Sequence, residues 1–120
     1  MVMLDANIIL RYLLNDDDKM ASEAEAIIKN MPVQVNIEIV AEVVYVLKGV
    51  YHVGRAEIGQ CLLQFLSDVT TPEPEVLRLG IETYAEQSLD FPDCILYAYH
   101  KVKGYEVKTF DKKLNKLLGK

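Results

Sequence analysis

Short apolar runs alternate with longer amphipathic stretches along this chain, and that alternation most restricts what it can fold into. Val2–Leu4, Val33–Val35, Asp68–Thr71 and Tyr105–Thr109 read as short strands. Between and after them, helical spacing covers Asn7–Leu14, Lys19–Lys29, Ile37–Val50, Ala56–Leu66, Pro74–Gln87, Phe91–Lys103 and Lys112–Leu118. Within these stretches the inward faces are Ala24, Ile27 and Ile28; Ile37, Val40, Val44 and Leu47; Ile58, Leu62 and Phe65; and Ile95, Leu96, Tyr99 and Val102. Pro32, Pro72 and Gly104 break the pattern, and Pro74 suits a helix start. Strands separated by helices long enough to cross over predict an α/β fold. The expected architecture is three layers, α/β/α, around a central parallel sheet of four to five short strands. Ligands in such folds sit outside the carboxyl ends of the strands.

A chain of 120 residues, 51% of them apolar, fits one domain over residues 1–120 with a substantial core. No apolar stretch approaches the ~20 residues of a membrane span. Asp5 also interrupts the N-terminus before any signal-peptide core forms, so a cytoplasmic protein is expected. Cys61 and Cys94 lie far apart and read as reduced thiols, and His52 and His100 stand alone. A soft-metal site is therefore not expected, and any metal would be a hard cation on carboxylate oxygens. The net charge of −5 is unevenly spread: residues 1–100 hold 6 Lys/Arg against 16 Asp/Glu, and residues 101–120 hold 7 Lys against 2 acids. The basic end reads either as a solvated last helix or as a grip on a phosphate backbone beside a cation site.

Four acids stand out by position. Asp5 ends the first strand, Glu42 lies early in the third helical stretch, Asp93 follows Pro92 at a helix start, and Asp111 follows the last strand. Each has a plain local explanation. Asp5 and Asp111 suit helix N-caps, Asp90 with Asp93 suits a capping pair, and Glu42 suits a solvated helix position, although Val43, Val44 and Val46 beside it argue for a half-sheltered carboxylate. Together they are expected at one rim, because crossover helices begin at the carboxyl edge of the sheet. Crowded carboxylates raise one another's pKa, and oxygen ligands in that number suit Mg²⁺ or Mn²⁺.

The segments "MLDANIILRYL", "AEVVYVL", "LDFPDCILYA" and "TFDKKL", in this order and over essentially the whole chain, resemble a PIN domain. The length and single-domain plan are similar to VapC-type toxins, the ribonuclease halves of toxin–antitoxin pairs. The resemblance implies Asp5, Glu42, Asp93 and Asp111 as metal-binding catalytic acids, with supporting polar roles for Asn7, Asp90 and Thr109. It also implies a homodimer and a small antitoxin that blocks the site. Two positions depart from the family: Ala6 stands where Ser or Thr is common, and Asn36 where Ser is frequent. A hydroxyl lost beside Asp5 weakens the support of a metal ligand. With the chain ending at Lys120, a final edge strand common in the family is expected to be missing or very short.

The expected activity is metal-dependent hydrolysis of RNA phosphodiester bonds, by resemblance leaving 5′-phosphate and 3′-hydroxyl ends, with Lys112, Lys113 and Lys116 on the RNA backbone. A phospho-accepting receiver domain shares the length and the alternating order. It needs an acid pair after the first strand and an acceptor Asp ending the third, and Asp5 has no acidic neighbour while "DVTTPEP" has no Asp after Val69. A catalytically silent PIN-like module that only binds RNA or protein is the other alternative. Ala6 favours it, and retention of all four acids opposes it.

Overall fold

The computed structural model describes residues 1–120. Strands β1 (Val2–Met3) and β2 (Val33–Gln34) pair in parallel, Val2 opposite Val33 and Met3 opposite Gln34. Between them run helices α1 (Ala6–Leu14) and α2 (Asp18–Asn30), which form the crossover that parallel pairing demands. After β2 come α3 (Ile37–Gly49), α4 (Arg55–Phe65), α5 (Pro74–Glu86), α6 (Phe91–Lys103) and α7 (Lys112–Leu117). The α/β order read from the sequence is thus present, around a smaller sheet than the four to five strands expected.

Two of the expected strands do not form, each for a local reason. In Asp68–Thr71, a 3-10 turn over Leu66–Asp68 prolongs α4. Thr70 alone then bridges Gln34 in parallel, its N–H donating to Val33 O and its carbonyl accepting from Val35 N, both at 2.9 Å. Pro72 follows almost at once and has no N–H with which to continue the ladder. Tyr105–Thr109 is unpaired backbone. Alternation leaves Val107 as its one buried side chain, and the Val107 carbonyl is taken by Lys120 Nζ at 2.7 Å. A segment with a single inward residue gains too little burial to hold a ladder.

The helices bury the faces that their spacing dictates. In α3 these are Val40, Val43, Val44 and Leu47, and in α4 Ile58, Leu62 and Phe65. In α6 the buried face is Phe91, Cys94, Ile95 and Ala98, while Leu96, expected inward, is 40% exposed. Pro74 opens α5, and Gly104 closes α6 in the left-handed region at φ 73°, where a side chain would be strained. Helix α5 packs on α4 and α6, and α3 packs on α1 and α6. One continuous apolar cluster runs from Leu4 to Leu114. Both cysteines are free thiols, and burial pushes the Cys94 thiol up to about 12. No helix is long and apolar enough to cross a membrane.

Candidate active site

The strand register places the first two site positions. Asp5 follows β1 and Asn36 follows β2, each two residues beyond a paired position, so both stand at the carboxyl edge of the sheet. Each caps the helix that departs there. Asp5 Oδ1 accepts from Ile8 N at 3.0 Å, and Asn36 Oδ1 accepts from Ile39 N at 3.2 Å. Asn36 therefore performs the capping that a Ser would perform. Ala6 is buried against the core, and Asn7 is exposed in the first turn of α1.

A second group of acids gathers at the start of α6. Asp90 caps α6, its Oδ1 accepting from Asp93 N at 2.9 Å. Asp93 lies half-buried in the first turn. Asp111 caps α7 through Leu114 N at 2.8 Å, and its own N–H donates to Thr109 Oγ1 at 3.0 Å. The Asp93 carboxyl is held above the ordinary carboxylate range, first by burial, then by the charges of Asp90 and Asp111. None of Asp5, Glu42, Asp90, Asp93 and Asp111 forms an ion pair; the three ion pairs of the chain are Arg11–Asp16, Lys29–Asp68 and Lys108–Glu106.

No three of these acids converge closely enough to hold an ion by themselves. Tyr99, late in α6, lines a cleft with Asn36, Ile37 and Glu38 at the start of α3. Asp90 and Phe91 line another with Tyr45 and Lys48, late in α3. Helices α3 and α6 therefore pack antiparallel. The expectation of a shared edge holds for α1 and α3, which follow paired strands. It does not extend to α6, because α5 leads into α6 through residues 87–90 with no strand between them.

Glu42 lies midway along α3 and is exposed, not half-sheltered. Positions 38, 42, 45 and 49 form one solvent stripe at helical spacing, and Tyr45 on it is 77% exposed. Lys112, Lys113 and Lys116 are exposed on α7, and Lys113 Nζ donates to Ser88 Oγ at 2.6 Å.

Sequence reasoning missed Arg55. Its guanidinium lies 3.9 Å over the Tyr84 ring, its Nε donates to Tyr84 O at 2.9 Å, and Nη2 donates to Leu89 O. One side chain thus ties the start of α4 to the end of α5 and to the loop that carries Asp90. Nothing in "VGRAEI" signals that reach across about thirty residues. These groups border a cleft of about 510 Å³ that also includes Asp90, Phe91 and Lys48.

The residues suit a hard divalent cation in kind and in charge. Every candidate ligand is a carboxylate oxygen, and around Asp93 like charges meet without a basic partner. No three His, Cys, Asp or Glu side chains converge as they would to enclose an ion by themselves. Mg²⁺ needs no such cage, since it is usually held by one or two carboxylates, with water and substrate phosphates completing the shell.

No curated protein and no solved structure matches this chain. The profile of the PIN domain does match, over residues 2–119, which takes in β1, all seven helices and every acid described above. The chain therefore belongs to the PIN domain family, whose members are generally nucleases and so hydrolases.

Proposed function

We propose that the protein is a Mg²⁺- or Mn²⁺-dependent endoribonuclease, a single domain over residues 1–120 that serves as the toxin of a toxin–antitoxin pair. In this reading Asp5, Glu42, Asp93 and Asp111 are the metal-binding catalytic acids, supported by Asn7, Asp90 and Thr109. Family membership supports nuclease chemistry. The observation that carries the assignment at the start of α6 is Asp93: a half-buried carboxylate with Asp90 and Asp111 for charged neighbours and paired with no cation of the chain, while Asp5 and Glu42 enter on the order of the family's motifs. Such an arrangement is costly for folding alone, and a divalent ion relieves it.

The chain's own contribution is positioning and charge. A cation bound there would supply positive charge to the phosphate oxygens and lower the pKa of a water molecule. Asp90, fixed by its cap on α6, holds the first turn in which Asp93 stands. Thr109 fixes the turn before α7 and so orients Asp111. Lys112, Lys113 and Lys116 hold the RNA backbone without reading its sequence. The small size and the order of the motifs support the toxin role, and with it a homodimer and a small protein antitoxin. The apolar N-terminal surface of Tyr12, Leu13 and Leu14 is partly used within the chain, since Tyr12 packs against Phe65 and its hydroxyl donates to Asp68 at 3.1 Å.

The test is cleavage of structured RNA with and without Mg²⁺ or Mn²⁺, for the unaltered protein and for Asp5→Asn. Cleavage is expected only with metal and is expected to fall at least a hundredfold in the variant, about 3 kcal/mol at the transition state. Metal-independent cleavage, or a variant as active as the parent, rejects the mechanism. No cleavage under any condition favours the silent RNA- or protein-binding module, the reading that Ala6 beside Asp5 supports.

A further inference from the structure

We propose that Phe110 is a stacking platform for an unpaired base of single-stranded RNA, placed beside Asp111 so that the base fixes the strand on the acid site. The inference rests on the ribonuclease reading above and goes beyond it by naming the substrate form and the residue that grips it. Phe110 is 105% exposed, the most exposed large apolar side chain of the chain. It therefore rests on nothing in its own fold and contributes no burial to stability.

Its setting is fixed rather than loose. Thr109 Oγ1 accepts from Asp111 N at 3.0 Å, and the Thr109 carbonyl accepts from Asn115 Nδ2 at 3.0 Å. Lys120 Nζ holds the Val107 carbonyl three residues earlier at 2.7 Å. The backbone on both sides of Phe110 is tied down, so a ligand has only the rotation of the side chain itself to order.

The neighbours decide what kind of ligand fits. Lys108, Lys112, Lys113 and Lys116 lie within six residues of it and are all exposed, Lys108 beside Glu106 and Lys113 on Ser88, while Lys112 and Lys116 form no ion pair within the chain. An aromatic face within a cationic track is the arrangement that holds single strands, with bases on the ring and phosphates on the lysines. A protein partner fits less well, because charged side chains are depleted at the core of a protein interface and Lys most of all. A paired helix fits less well again, because its bases are stacked on one another.

The experiment is binding of a single-stranded oligoribonucleotide carrying 2-aminopurine, in chelator so that no strand is cut. The probe reports stacking by quenching and affinity by titration. The unaltered chain should bind and quench. Phe110→Ala and Phe110→Leu should each bind about tenfold more weakly, with most of the quenching lost and the salt dependence unchanged, since stacking releases no counterions. Phe110→Trp should restore both. An oligomer lacking its bases should bind the unaltered chain and Phe110→Ala equally. Affinity and quenching unchanged in Phe110→Ala overturn the platform while leaving RNA binding intact. Full affinity of Phe110→Leu overturns stacking in favour of a plain apolar contact. No binding by the unaltered chain overturns this inference alone, because the ribonuclease reading stands or falls on cleavage in the presence of metal.

Discussion

Asp5, Asp90 and Asp111 each accept a hydrogen bond from the backbone N–H three residues on, so the local explanation of these acids and the catalytic one are both available to the same atoms. A cap uses one carboxylate oxygen and leaves the other, with its share of the delocalised charge, free for chemistry. The two roles separate in the choice of substitution. Asn caps about as well as Asp, whereas Ala does not. Asp111→Asn should therefore hold its melting free energy within about 0.5 kcal/mol of the parent, and Asp111→Ala should lose about 1 kcal/mol. Both should lose cleavage alike. Thermal unfolding beside a cleavage assay checks this, and an Asp111→Asn protein that cuts RNA normally would reduce the residue to a cap. These caps were legible in the sequence, because an acid between a strand or loop and a helix start has few other local uses. The polar face of α3 through Glu38 and Tyr45 was legible too, but Glu42 stands at its border beside Val46, and only packing decides between a solvated and a half-sheltered carboxylate there.

Helix boundaries were the most legible elements, and the sheet the least. Phe91–Lys103 is helical from its first predicted residue to its last, because Asp90, Pro92 and Gly104 punctuate it in sequence. Strands depend on partners that sequence does not name, which is why Thr70 makes a lone bridge and Tyr105–Thr109 none. Contacts between distant elements were hidden for the same reason, and two of them can be tested. Arg55 joins α4 to the loop before α6 through a planar fork over Tyr84. Lys carries the charge but not the fork. Arg55→Lys should therefore cost about 2 kcal/mol, the size of a hydrogen bond to a charged group, seen as a lower urea midpoint. An unchanged midpoint would show that the Arg55 contacts are idle. Gly59 faces α5, where an added Cβ would meet Ala85 Cβ at 2.6 Å. Neither atom has a torsion by which to yield, so the helices must separate. Gly59→Ala gains about 1 kcal/mol of helix propensity but meets an overpacking cost of up to about 3 kcal/mol. The net expectation is a Tm lower by about 5 °C, and a raised Tm would show that α4 and α5 have slack at their crossing.

The whole molecule is drawn out, with extents of 49 × 30 × 18 Å and a radius of gyration of 14.9 Å, against about 13.6 Å for an average domain of 120 residues. A sheet of two short strands fixes only the starts of α1 and α3 at its carboxyl edge, and the remaining helices are placed by packing on one another. Charge is divided along the chain in the same uneven way. An acidic body repels a polyanion, while the lysines of the last twenty residues attract it, so the proposed ribonuclease function favours approach of RNA from the α7 side. The asymmetry was visible in the sequence as a count; its placement beside Asp111 depends on that residue capping α7. If the lysines of α7 carry the backbone, replacing Lys112, Lys113 and Lys116 together by Ala should weaken binding of single-stranded RNA at low salt. The slope of log affinity against log salt should flatten by about 2, near 0.7 for each phosphate that is no longer neutralised. The hydrogen bond from Lys113 to Ser88 is exposed and its removal leaves the core untouched, so the fold should survive. An unaltered slope in a folded triple variant would place the RNA track elsewhere, with Lys48 beside the cleft at Asp90 as the next position to test.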